Sequence, residues 1–179
     1  MRLVTPGAAE HRRTATPGHL RQRERSHNGG TLSRDRIDHL LGEKPVDPSA
    51  ATAVRVLHDD LGLQLVLTSN TRPSERRWPA LAAAGIDGFV CCALLSYPLG
   101  TAKPEPLFWS LLLAAAGCPA DQVLVCGNNL RNDVAAPLEH GMRAVLIRPG
   151  GLRPGELLPD GALMIPHVAR LPALISEDR

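Results

Sequence analysis

Residues 122–133 read QVLVCGNNLRND, and the fold follows from them. The run Gln122–Cys126 is apolar without polar alternation, as expected of a strand covered on both faces. A polar loop, Gly127-Asn128-Asn129-Leu130-Arg131-Asn132-Asp133, follows it, and helical spacing then covers about Asn132–His140, closing at Gly141. A second apolar run, Arg143–Arg148, comes next. Strand, loop, helix and strand in that order make a βαβ unit of a parallel sheet.

The same pattern recurs toward the N-terminus. Leu63–Thr68 is an apolar strand ending in Thr68-Ser69-Asn70, and about Gly88–Leu95 is another, followed by Gly100-Thr101-Ala102-Lys103-Pro104. A helix predicted from Pro104 or Glu105 to Ala116 has proline at its start and Gly117 just past its end. Before these, Ala53, Val54, Leu57 and Leu61 stand at helical spacing within Ala50–Leu61, and RDRIDHLLG at 34–42 reads as a short helix. In an open parallel sheet the loops after the strands gather along one edge, where ligands bind. Three polar loops therefore converge there.

Their side chains suit a phosphate and a metal. Ser69 offers a hydroxyl and a backbone N–H to a phosphate oxygen. Lys103 stands near a helix start, where the helix dipole also favours an anion. Of the 20 cationic residues only Lys44 and Lys103 are lysines, so an ammonium in this loop invites a reason. Lysine brings a compact charge to an anionic oxygen, whereas arginine is a wide fork. Asn128 and Asp133 flank the start of the next helix, and their oxygens suit Mg2+.

Composition sets the outer bounds. The 179 residues suffice for one domain with a real core; 44% are hydrophobic and 21% charged, as in soluble globular proteins. No run of 18 apolar residues occurs, and the N-terminus lacks the apolar region of a signal peptide. A cytoplasmic protein is expected. Cys91, Cys92, Cys118 and Cys126 form no CxxC pair and read as reduced thiols. The seven histidines show no metal-binding spacing. Residues 1–36 carry eight arginines against Glu10, Glu24 and Asp35, so this segment is basic while the rest is net acidic. It reads as disordered, and without interleaved aromatics it does not read as a nucleic-acid binder.

The three loops, in order and spacing, resemble those of the haloacid dehalogenase-like hydrolases, mostly Mg2+-dependent phosphatases on a Rossmann-like core. The resemblance covers about Pro48 to Gly150. It rests on the LTSN at 67–70, on Lys103-Pro104 within GTAKPEP, on Gly127-Asn128…Asp133, and on GMRAVLIRP at 141–149. It implies that Ser69 and Asn70 contact phosphate and that Lys103, as a catalytic residue, steadies the phosphoryl group. It further implies that Asn128 and Asp133 hold Mg2+ and that the substrate is a small phosphorylated molecule.

Two departures accompany it. Asn128 stands where the family usually has aspartate, which removes one negative charge from the metal site. The family's opening Asp-x-Asp-x-Thr loop after the first strand is not found. MRLVT at 1–5 imitates a strand but runs into Thr5-Pro6-Gly7, without a carboxylate.

The expected fold is thus α/β, a three-layer Rossmann-like parallel sheet lacking its first strand and most of its cap. The expected parts are a basic leader at 1–33, a cap remnant at 34–47, the core at 48–150, and a C-terminal extension at 151–179 with one short edge strand at Ala162–Ile165. Function then divides three ways: a phosphatase-type core impaired for want of the nucleophile, a non-catalytic phospho-ligand module, or a truncated gene product. A DxDxT-like loop encoded upstream would favour the last.

Overall fold

A computed structural model describes residues 2–6, 44–73 and 75–177. Its centre is a six-stranded sheet. The strands are β1 (Arg2–Pro6), β2 (Gln64–Ser69), β3 (Val90–Leu95), β4 (Val123–Gly127), β5 (Arg143–Ile147) and β6 (Leu163–Ile165), all paired in parallel in the order β3-β2-β1-β4-β5-β6. The sheet strands expected at the four apolar runs and at the C-terminal edge are all present, within two residues of their predicted limits.

The expectation of a missing first strand is corrected. Arg2–Pro6 lies in the middle of the sheet, with Val4 opposite Val66 of β2 on one side and Val125 of β4 on the other. Without it, β2 and β4 would each expose a row of unpaired N–H and C=O groups, which a buried sheet does not tolerate. The five residues Arg2–Pro6 pair with β2 along their whole length and with β4 over Arg2–Val4. The rest of the segment read as a leader, the helix expected at 34–42, and residues 34–43 of the cap remnant expected at 34–47 lie outside the described residues.

Helices cover both faces. Pro48–Arg55 is capped by Asp47, whose carboxylate accepts from Ser49 N and Ala50 N, and it runs into a π-helical turn at Val56–Asp60. Pro106–Ala116 ends at Gly117, whose φ of 62° is a conformation that glycine adopts without strain. A π-helical turn at Leu130–Ala135 leads into the short helix Ala136–Glu139. The helices Trp78–Ala83, Ser96–Leu99 and Leu171–Glu177 complete the set.

β4 shows why its run is unbroken. Val123 and Val125 pack with Phe108, Trp109 and Leu112 of the helix Pro106–Ala116. Leu124 and Cys126 pack in a separate core with Leu57, Leu171 and Ile175. Each fully buried large side chain here contributes about 1.5–3 kcal/mol. Among the described residues no helix is long and apolar enough to cross a membrane.

Candidate functional site

At the C-terminal edge of the sheet, β2 ends in Thr68-Ser69, both buried, and β4 ends in Gly127. Lys103 and Asp133 meet between them. Lys103 Nζ lies 2.6 Å from Asp133 Oδ1 and 3.5 Å from Thr68 Oγ1, and the two charged residues are 6% and 3% exposed. The second carboxylate oxygen, Oδ2, accepts from Asn129 N at 3.0 Å. Burial strengthens this pairing, since little water competes for either group.

The Asn70 side-chain amide ties two of the loops together. Asn70 Nδ2 donates to the Lys103 carbonyl at 2.8 Å, and Lys103 N donates to Asn70 Oδ1 at 2.9 Å. This reciprocal pair locks the loop after β2 to the loop carrying Lys103, whose bond to Pro104 is cis. Thr101 Oγ1 donates to Glu105 at 2.9 Å within the same turn. The Asn129 side chain accepts from Asn132 N and shapes the start of the π-helical turn.

Gly127 explains itself by distance. A Cβ there would stand 2.4 Å from Asp133 Cγ, so only glycine lets the carboxylate fold back over the end of β4. Cys126, just before it, is fully buried, and burial first and Asp133 second push its thiol far above its usual range.

Ser69, Lys103 and Asp133 therefore come to one edge, as the strand-end placement predicts. Asn70 serves the site through its bonds to the Lys103 backbone and is itself exposed. Asn128 is exposed as well, and its carbonyl accepts from Arg148 Nε at 3.0 Å. Arg148 also pairs with Glu156, which tethers the chain after β5 to the Gly127–Asp133 loop. Thr68, Asn129 and Arg148 belong to this arrangement and were not singled out by motif. Thr68 was within reach, because it directly precedes Ser69 in the same strand end.

The donors among the described residues do not make a Mg2+ cage. Among the described residues no three His, Cys, Asp or Glu side chains are grouped to hold a metal. The carboxylate at the centre, Asp133, is paired with the Lys103 ammonium, which weakens its hold on a dication.

Comparison with known proteins gives a consistent picture. The family model described as "Hydrolase: haloacid dehalogenase-like hydrolase" matches residues 6–141. The phosphoserine phosphatase of Thermus thermophilus is 33% identical over 95 residues, which are 53% of this chain and 37% of that protein. The phospholysine phosphohistidine inorganic pyrophosphate phosphatase of Mus musculus is 39% identical over 54 residues, 30% of this chain and 20% of that one. The matched region thus spans well under two thirds of either relative. The solved L-2-haloacid dehalogenase RSc1362 superposes with a TM-score of 0.67 at 22% identity, over 83% of this chain and 64% of that one, a likeness of fold.

Proposed function

The chain belongs to the haloacid dehalogenase-like hydrolases, and on that premise we propose that it is a phosphatase-type core that holds a small phosphorylated molecule without the covalent aspartyl step. The observation that carries this reading is the end of β1. The strand sits between β2 and β4, beside Thr68, and its last residues are Thr5 and Pro6, followed in sequence by Gly7-Ala8-Ala9. An aspartyl-phosphate needs a carboxylate as nucleophile, and neither the Thr5 hydroxyl nor the Pro6 pyrrolidine ring can form one.

What the remaining residues do is bind. Ser69 presents its hydroxyl and N–H to one phosphate oxygen, and Lys103 supplies positive charge at hydrogen-bonding range of another. Asp133 fixes the ammonium, and Asn70 fixes the backbone that carries it. Phosphatases of this family generally use Mg2+, which would neutralise phosphoryl charge at the Asn128–Asp133 loop. With Asn128 uncharged and Asp133 paired to Lys103, we infer that Mg2+ adds little to binding in this chain.

The test is an assay of the purified chain with an aryl phosphate and excess Mg2+, beside titration with phosphoserine followed by NMR. Binding that Ser69→Ala weakens, with turnover no faster than in Lys103→Ala, is the expected result. Robust Mg2+-dependent turnover that Lys103→Ala abolishes overturns the proposal.

A further inference from the structure

Cys91 and Cys92 are neighbours in β3, and in a regular strand their side chains would leave opposite faces of the sheet. The pairing with β2 is irregular at this point. Leu65 lies opposite Val90, but Val66 lies opposite Cys92, so Cys91 is the extra residue of a bulge. The bulge brings the two sulfurs to 3.7 Å. Gln64 Nε2 donates to Cys91 Sγ at 3.0 Å from the facing strand. β3 is an edge strand, Cys91 is exposed, and a surface cleft of about 360 Å3 lined by His58, Gln64, Phe89 and Cys91 opens beside it.

We propose that Cys91 and Cys92 form a two-thiol chelate for a thiophilic ion, a site separate from the phosphate end of the sheet. The separation of the sulfurs decides between chelation and a disulfide. Two thiolates about 2.3 Å from one tetrahedral ion lie roughly 3.8 Å apart, close to the distance found. A disulfide would require a contraction to about 2.05 Å, and adjacent residues place their Cα atoms nearer than the usual disulfide range. Gln64 donates to the sulfur that would carry negative charge, and the cleft leaves room for water to complete the coordination shell. Binding a divalent ion forms two metal–sulfur bonds and releases two protons, with no change of oxidation state.

Cd2+ and phenylarsine oxide are suitable probes for the reduced full-length chain. The arsenical stays trivalent as two As–S bonds form, and its oxygen leaves as water with the two thiol protons. The expected outcome is one equivalent of each probe, with a cadmium–thiolate charge-transfer band and an arsenical adduct that survives excess monothiol. Cys91→Ser and Cys92→Ser should each weaken binding by on the order of a hundredfold, since the second thiol then acts no longer within one molecule. Cys118→Ser should leave it unchanged. An adduct removed by monothiol, or binding retained in Cys91→Ser, overturns the proposal. Because neither cysteine touches the Lys103 cluster, phosphoserine binding is an independent readout, and its failure would bear on the proposed function alone.

Discussion

Lys103 Nζ and Asp133 Oδ1 form an ion pair at 2.6 Å with both side chains 4% exposed, joining the loop after β3 to the turn after β4. Neither charge has water to fall back on. Removing one partner leaves the other uncompensated, which costs far more than the pair itself contributes. The relationship is also directional, because Asp133 reaches the lysine only by folding over Gly127.

A double-mutant cycle reads this directly. Lys103→Met and Asp133→Leu should each destabilise the chain by about 3–5 kcal/mol in urea unfolding, and the double variant by distinctly less than their sum. Additive losses would mean that the two charges are stabilised by other partners.

Gly127→Ala should cost on the order of 1–3 kcal/mol, as overpacking does in a tight site. Phosphoserine binding should fall with it, since the carboxylate and then the lysine must shift. Unchanged stability and binding in this variant would contradict the close approach of Gly127 and Asp133.

Glu156 supplies a pH dependence. Its hydrogen bond from Arg148, then that from Arg153 N, hold its carboxyl below its ordinary value of 4.5. A depressed carboxyl contributes stability that is present above the unfolded pKa and is lost as pH falls through the folded value. The urea midpoint should therefore drop below about pH 4.5 more steeply in the parent chain than in Glu156→Gln. Parallel curves for the two proteins would count against the tether.

The thiols should separate by reactivity. Burial, then the neighbouring Cys91, pushes Cys92 up to about 11, and burial holds Cys126 higher still, so both stay protonated at neutral pH. Alkylation of the native chain should reach exposed Cys91 first and leave Cys126 untouched until the protein unfolds. Peptide mapping by mass spectrometry that finds Cys126 modified as fast as Cys91 would refute this order.

Much of the site was legible because the chemistry sits where parallel strands end. Ser69, Lys103 and Asp133 each follow an apolar run, and that placement alone brings them to one edge. What escaped the sequence depended on neighbours that it does not display. Arg2–Pro6 is too short to show a period, and the Pro, Gly and Arg residues after it make its surroundings read as disordered; only the vacancy between β2 and β4 calls for a strand there. The helix Leu171–Glu177 was missed because a seven-residue segment with Pro172 gives little pattern, although Leu171 and Ile175 are buried. The approach of Cys91 to Cys92 needed the slip in pairing between β2 and β3. Asn70 was read as a phosphate contact, and its bonds to the Lys103 backbone appear only once the loops have met.

The central position of β1 bears on the order in which the molecule assembles. Its partners Val66 and Val125 lie far downstream of Val4, whereas β4 and β5 are separated by one short helical segment. Closing so long a loop is only modestly unfavourable at equilibrium, since each doubling of length costs about 0.6 kcal/mol, but distant pairings form slowly. β1, which precedes both of its partners in the chain, is thus expected to lock in last, as a keystone slid between two half-sheets. Pulse-labelled hydrogen exchange during refolding should protect the amides of β4 and β5 before those of β1. Since β1 joins β2, which carries Ser69, to β4, which leads into the Asp133 turn, competence to bind phosphate should appear only with the final kinetic phase.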